Sequence, residues 1–133
     1  MIPELNEHGY LPAGVYQATL DEVVARFGRG NEQREAQAQS LEWLAPLCIR
    51  AGITRILING SFVTNRDQPN DVDCVLLQGP KYRSRSVQAA QLRKGLPFVE
   101  LRIVRQPEYD FYRDQFYASD RDMIPKGVIE VLL

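Results

Sequence analysis

Two aspartates, Asp71 and Asp73, stand at the start of an apolar run in the segment "NDVDCVLL". Side chains two residues apart on a β-strand lie on the same face, about 6.6–7 Å apart along the chain. Carboxylates at this spacing repel each other by about 2–3 kcal/mol at an effective dielectric near 20, so something must offset the repulsion, and a divalent cation does so directly. Mg²⁺ suits this role because it binds one or two carboxylates together with substrate phosphates. The pattern therefore predicts a Mg²⁺ site at Asp71 and Asp73.

A Gly-Ser pair, Gly60 and Ser61, closes the preceding apolar run and is separated from Asp71 by nine residues, 62–70. A glycine after a strand permits a tight turn into the start of a helix, where backbone N–H groups bind phosphate. The hydroxyl of Ser61 can add a further contact to a terminal phosphate. Strand, Gly-Ser turn and Asp-x-Asp strand together predict a site that holds a phosphate beside a cation.

Positive charge is concentrated after the second aspartate. Residues 81–105 contain seven Lys or Arg and one acid, Glu100, a local balance of 7 − 1 = +6 in a chain of net charge −1. Such a field suits an anionic ligand, and Lys81, Arg83 and Arg85 are the candidate contacts to a phosphate or an acceptor. A solvated helix face would have the same composition, and the sequence leaves both interpretations open.

The elements that must position these residues alternate along the chain. A capping box, Thr19 with Glu22, predicts a short helix over "TLDEVVARF", and a longer helix is predicted from Asn31 to about Ala51. Strands are predicted at "TRILIN", "DVDCVLL" and "FVELRIV", and "GVIEVLL" is a terminal strand or an extended tail. Helices are predicted at "SRSVQAAQLRK" and "PEYDFYRDQFYA". The alternation indicates one layered α/β or α+β domain over residues 1–133, with residues 1–18 as an extended arm packed on it.

Composition narrows the class of protein. With 44% hydrophobic and 25% charged residues, the chain is typical of a globular domain, and it lacks both a signal-peptide pattern and an apolar run of about 18 residues for a membrane span. The two cysteines, Cys48 and Cys74, lie in apolar segments without a CxxC spacing. We expect reduced core thiols and a cytoplasmic location.

The segment "GSFVTNRDQPNDVD" resembles the Gly-Ser…Asp-x-Asp signature of the DNA polymerase-beta-like nucleotidyltransferase superfamily, especially its minimal bacterial members. With "LNEHGYLPAGVYQATLDEVVARFG" and "PKGVIEVLL", the whole chain is similar to a small bacterial family of minimal nucleotidyltransferase-like proteins. The resemblance implies a mixed β-sheet flanked by helices. It also implies one or two Mg²⁺ ions on Asp71 and Asp73, and a nucleoside triphosphate (NTP) held by Gly60 and Ser61.

Active members of that superfamily usually add a third carboxylate from a neighbouring strand, and Glu100 in "FVELRIV" is the best match here. Glu100 would bind metal or act as a base, but Arg102 on the same face of the strand could instead hold it in a surface ion pair. Lys126, in the segment "PKG", is expected to be an exposed turn lysine rather than a phosphate contact.

Two functions from different classes follow. The first is Mg²⁺-dependent transfer of a nucleoside monophosphate to a hydroxyl of a protein, an RNA or a small molecule. The second is a binding module without catalysis, because small members of the superfamily resemble antitoxins that act on or sequester a HEPN-type toxin. A single domain of this size has no separate unit to select an acceptor, so a partner protein or a homo-oligomer could complete the site.

Overall fold

The computed structural model describes all residues, 1–133. Its strands are β1 (Val15–Ala18), β2 (Ile53–Asn59), β3 (Val72–Gln78), β4 (Val99–Val104) and β5 (Val128–Leu132). Its α-helices are α1 (Leu20–Phe27), α2 (Glu32–Ala51), α3 (Val87–Lys94) and α4 (Gln106–Phe111). A 3-10 turn, Ser61–Val63, follows β2, and one turn of π-helix, Tyr112–Phe116, continues α4. No helix is long and apolar enough to cross a membrane.

The five strands form one mixed sheet in the order β1-β5-β2-β3-β4. The pairs β1/β5 and β3/β4 are parallel, whereas β5/β2 and β2/β3 are antiparallel. The predicted α+β layered domain is therefore confirmed. Residues 1–18 are an arm only in part, because residues 15–18 form β1 and cover the edge of β5, which would otherwise expose unpaired backbone groups.

Helices cover the two faces of the sheet unequally. The larger hydrophobic core lies between the sheet and helices α1, α2 and α3, and the smaller one lies on the other face, where it includes Tyr109 of α4. Cys48 and Cys74 belong to the larger core and are free thiols, as predicted. Burial raises the pKa of Cys48 to about 12, so this thiol stays protonated and unreactive at neutral pH.

Local sequence explains where the helices begin and end. Thr19 and Glu22 form the predicted capping box of α1. Asn31 caps α2 by accepting a hydrogen bond from the backbone N–H of Arg34 at 2.9 Å. Gly52 ends α2 in the left-handed conformation, with φ of 90°, which a glycine adopts without steric cost.

One buried side chain of α2 connects the helix to the loop between β2 and β3. Arg34 is only 7% exposed. Its guanidinium donates hydrogen bonds to four backbone carbonyls, those of Phe27 (3.0 Å), Phe62 (2.8 Å), Thr64 (2.9 Å) and Arg66 (2.6 Å). Because guanidinium carries five N–H donors in a fixed plane, it can hold several chain segments at once.

Neighbouring polar residues of α2 extend this attachment along the same loop. The side-chain amide of Asn31 donates to the carbonyl of Asp67 at 2.6 Å, and that of Gln37 donates to the carbonyl of Pro69 at 2.6 Å. Gln33 also donates to the Pro69 carbonyl, at 3.0 Å. The polar face of α2 therefore fixes the loop that carries Gly60 at one end and Asp71 at the other.

We expect Arg34→Met to destabilise the protein by at least about 3 kcal/mol, because four buried carbonyls lose a charged donor. Arg34→Lys should recover only part of this loss, since one ammonium cannot reach all four acceptors. Urea denaturation measures the free energy of unfolding. The control is Arg50→Met, an exposed arginine of the same helix, which should change stability by no more than about 0.5 kcal/mol. Equal effects of Arg34→Met and the control would contradict this role.

Candidate functional site

Sheet register brings three polar side chains into one row. Asn59 of β2 is paired with Asp73 of β3, and Asp73 is paired with Glu100 of β4. Residues paired directly across neighbouring strands present their side chains on the same face, here the face that α4 packs on. Asp71 lies one residue before β3 and is exposed, as is Glu100, whereas Asp73 is half-buried.

The environment of Asp73 disfavours its charge. Burial, as the largest cause, and the charges of Glu100 and Asp71 together raise the pKa of Asp73 to about 6. The ammonium of Lys126 acts in the opposite direction. Asp73 is therefore a carboxylate that the fold leaves incompletely compensated, as expected where like charges are gathered for a ligand.

Gly60 is required beside Asp73 for two reasons. Its φ of 82° is a conformation that other residues rarely adopt, and a Cβ atom at this position would collide with the carboxylate of Asp73. The predicted juxtaposition of the Gly-Ser turn and the second aspartate is thus present. Ser61 opens the 3-10 turn, is half-buried, and its hydroxyl makes no hydrogen bond within the protein.

Asn59 is a site residue that the sequence reasoning missed. It is fully buried, and its amide nitrogen donates to the backbone carbonyl of Asp73 at 3.4 Å, while its Oδ1 has no partner. An unpaired buried acceptor costs about 1–3 kcal/mol, and a cation or a ligand donor would remove that cost. In the sequence, Asn59 is recognisable as the polar residue that ends the apolar run "ILI" directly before the Gly-Ser pair.

Lys126 and Tyr117 also approach Asp73. Lys126 is half-buried rather than an exposed turn lysine, because the residues before β5 run beside the end of β2. Burial lowers the pKa of Lys126, and Asp73 and Asp120 oppose that effect. Burial raises the pKa of Tyr117, with a further contribution from Asp73. Only the strand order brings these distant residues to the site, so no local pattern could have found them.

The structure separates Glu100 from Arg102. No salt bridge joins them, and the Arg102 guanidinium instead lies over the ring of Tyr112, 5.6 Å from its centroid. The surface ion pair that was the alternative role of Glu100 is therefore absent. Glu100 remains an exposed carboxylate beside Asp73.

The predicted cationic contacts lie elsewhere. Lys81, Arg83 and Arg85 follow the far end of β3, and the strand alone spans about 16 Å from Asp73 to Gln78. The guanidinium of Arg83 is bonded to the carbonyls of Pro80 (3.0 Å) and Tyr82 (2.9 Å). These three residues are not brought to the carboxylates, because they follow the C-terminal end of β3 whereas Asp71 and Asp73 stand at its start. The count of local charge did not take the length of the strand into account.

A second acidic residue on the same face provides a contrast. The buried carboxylate of Glu130 accepts hydrogen bonds from Tyr109 (2.7 Å), Gln17 (3.2 Å) and Arg55 (3.3 Å). Burial would raise the pKa of Glu130, but these three partners together bring it below its ordinary value. Glu130 is fully compensated by the protein and needs no ligand.

The donor set near Asp73 fits a hard cation. No three or more His, Cys, Asp or Glu side chains converge closely enough to hold a metal ion. The carboxylates of Asp71, Asp73 and Glu100 and the unpaired Oδ1 of Asn59 are nevertheless all oxygen donors, the type that Mg²⁺ prefers. Asp71 and Glu100 are exposed and so accessible to an ion from solvent.

Comparison with known proteins gives a family. The chain belongs to a family of unknown function (DUF6932). The family model matches residues 3–132, and so covers every helix and strand and every residue of the candidate site. No curated protein and no solved structure matches the chain. The family description names no activity, and the resemblance to nucleotidyltransferases stays a prediction.

The raised pKa of Asp73 predicts a dependence of stability on pH. The folded state holds this proton more tightly than the unfolded state, so the wild type loses stability as the pH rises from about 4 to about 6. Solvent screening of the half-buried group leaves a penalty of about 1–2 kcal/mol at neutral pH. Asp73→Asn should therefore be more stable than the wild type by this amount at pH 7.5, and equally stable at pH 4. Urea denaturation at both pH values measures the difference, and an Asn variant that is less stable at pH 7.5 would contradict it.

Proposed function

We propose that the protein is a Mg²⁺-dependent nucleotidyltransferase that transfers a nucleoside monophosphate from an NTP to a hydroxyl group. The observation that supports this most directly is the contact between Gly60 and the Asp73 carboxylate, with Glu100 on the neighbouring strand. A turn that can bind phosphate therefore lies next to carboxylates that can bind a metal ion. The strand, Gly-Ser turn, Asp-x-Asp strand, helix and Glu-bearing strand also follow in the order that the resemblance implies.

Each residue has a role in binding. Asp71 and Asp73 hold Mg²⁺, which neutralises the charge of the triphosphate and of the leaving pyrophosphate. The Gly60–Ser61 turn contacts the triphosphate through its backbone N–H groups and the Ser61 hydroxyl. Lys126 is the cation near the phosphates. This is the role that the sequence predicted for Lys81, Arg83 and Arg85.

The chemistry is an in-line displacement at the α-phosphorus. The acceptor hydroxyl oxygen forms a bond to this phosphorus, the bond to the bridging oxygen of the pyrophosphate breaks, and pyrophosphate leaves with the electron pair. Glu100, an exposed carboxylate adjacent to Asp73, accepts the hydroxyl proton. The acceptor is a hydroxyl of a protein, an RNA or a small molecule. NTP, Mg²⁺ and the reduced core cysteines fit a cytoplasmic protein.

Labelling by a radioactive NTP tests the proposal. With millimolar Mg²⁺, the wild type should label itself or an added acceptor, and Asp73→Asn should reduce the labelling by at least a hundredfold, because the metal loses its half-buried carboxylate. Glu42→Gln, which changes charge equally at an exposed position of α2, is the matched control and should label normally. Undiminished labelling by Asp73→Asn would refute the assignment.

Metal dependence can be measured without knowing the acceptor. Mg²⁺ that binds only the native state stabilises it by RT ln(1 + [L]/Kd), about 1.4 kcal/mol at ten times Kd, which raises Tm by several degrees. Addition of NTP should raise Tm further. Lys126→Met should keep the response to Mg²⁺ but lose most of the response to NTP, because the lysine faces the phosphates rather than the ion. Melting curves that ignore both Mg²⁺ and NTP would contradict the proposal.

A binding module without catalysis is the second candidate, and the exposed aromatic residues near the site favour it. Phe111 and Phe116 are 46% and 57% exposed, and their rings lie 6.2 Å apart. Exposed apolar groups of this kind mark protein interfaces such as that of an antitoxin with its toxin. Calorimetry separates the two candidates, since a binding module would take up neither Mg²⁺ nor NTP.

A further inference from the structure

We propose that a cavity on the helical side of the β2–β3 loop binds a phosphate group. The cavity has a volume of about 290 Å³ and lies between the turn that joins α1 to α2 and residues 64–67 of the loop. Only two of its 11 lining residues are hydrophobic. Four lining residues are arginines, namely Arg26, Arg29, Arg34 and Arg66.

The positive charge of this cavity is not neutralised by the protein. Asp67 is the one acidic residue in the lining. None of the four arginines takes part in a salt bridge, and the side chains of Arg29 and Arg66 make no hydrogen bond. The Arg26 guanidinium has one long hydrogen bond, at 3.4 Å, to the carbonyl of Ile2. Four guanidinium groups against one carboxylate give a net charge of +3 around a small polar volume, which suits a dianionic phosphate. Arg26, Arg29 and Arg66 supply the N–H donors, because the four terminal N–H groups of Arg34 already donate to backbone carbonyls.

The backbone around the cavity adds to this field. Gly30 and Asn31 line it, and Asn31 is the N-cap of α2, a helix of 20 residues. The positive end of a helix dipole stabilises an anion placed there. The two acids in the first turn of α2, Glu32 and Glu35, are not among the lining residues.

Buried Arg34 fixes the walls of the cavity, and the exposed Arg26, Arg29 and Arg66 extend from these walls. Arg34, more than nine-tenths buried, lines the cavity while its four hydrogen bonds hold both walls, the end of α1 and the loop. The walls are therefore rigid, and the exposed Arg29 and Arg66 face a fixed pocket. A rigid concave site loses little entropy when it binds an anion.

The cavity and the carboxylates consist of different residues, so phosphate binding in the cavity does not depend on the proposed nucleotidyl transfer. The phosphate could be free in solution or could be the 5′-terminal phosphate of a single strand of nucleic acid. Both sources offer a doubly charged phosphate group to the arginines, whereas an internal phosphodiester carries one negative charge. A strand, however, would make further contacts beyond the cavity and would bind more tightly than inorganic phosphate.

The experiment is a titration of the full chain, without Mg²⁺, with inorganic phosphate and separately with a 5′-phosphorylated decanucleotide. Backbone amide NMR shifts report where each probe binds. We expect the largest shifts at Gly30, Asn31 and residues 64–67 rather than at Asn59–Ser61. The variant Arg29→Ala/Arg66→Ala should lose at least tenfold in affinity for inorganic phosphate. Its matched control is Arg50→Ala/Arg85→Ala, which removes the same charge from exposed positions away from the cavity.

An equal loss of affinity in the two double variants, or shifts spread over the whole surface, would mean non-specific attraction and would overturn the proposal. A decanucleotide that binds the wild type at least tenfold tighter than phosphate, and loses this advantage in Arg29→Ala/Arg66→Ala, would support the cavity and identify a nucleic acid strand as the source. Equal affinity for the two probes, lost in the same variant, would support the cavity with free phosphate as the source. Because Mg²⁺ is absent, failure of phosphate binding here leaves the assignment of Asp73 unaffected.

Discussion

The attachment of the β2–β3 loop to α2 through Arg34 is the interaction on which the site depends. The loop joins two antiparallel strands with twelve intervening positions, 60–71, and apart from the buried Phe62 and Val63 at its start it is mostly polar. Such a connection would be mobile if it were held by backbone bonds alone. Instead, one guanidinium and three side-chain amides donate hydrogen bonds to its backbone carbonyls. These polar residues at the start of α2 therefore hold the loop in place. Gly60 is the first residue of this loop and Asp71 is the last. The attachment of the loop to α2 therefore also sets the positions of Gly60 and Asp71 relative to Asp73.

Glu130 and Asp73, two carboxylates on the same face of the sheet, differ in how far the protein compensates their negative charge. Glu130 has three donors within hydrogen-bond distance, whereas Asp73 lies among other acids and next to an asparagine oxygen without a partner. A protein selected only for stability would treat both alike. The end of the sheet near Asp73 therefore carries an electrostatic cost that the proposed ligand would offset.

Local patterns in the sequence were sufficient for the four helices, for β2, β3 and β4, and for the centre of the candidate site. β1 was not predicted within the N-terminal arm. Caps at Thr19 and Asn31, apolar runs and the Gly-Ser spacing depend on interactions between residues close in the chain, and the structure contains each of them. The strand order was not predictable in this way. β5 lies between β1 and β2 as a result of pairing between segments that are far apart in the sequence, and local patterns do not determine which distant segments pair. The half-buried place of Lys126 depends on that pairing, which is why an exposed turn lysine was predicted there. Lys81 lies away from the carboxylates because it follows the far end of β3.

Pairing of the first strand with the last has a consequence for how the chain folds. β1 has no partner other than β5, and its register joins Val15 to Val128, 113 positions apart. Helix α2 and strands β2 and β3 are formed by segments that are close together in the chain, whereas β5 lies between β1 and β2 and pairs with both over long separations in the sequence. Folding should consequently be slow and dominated by closure of this long loop, with the edge of β2 open to aggregation or to a chaperone until β5 pairs with it.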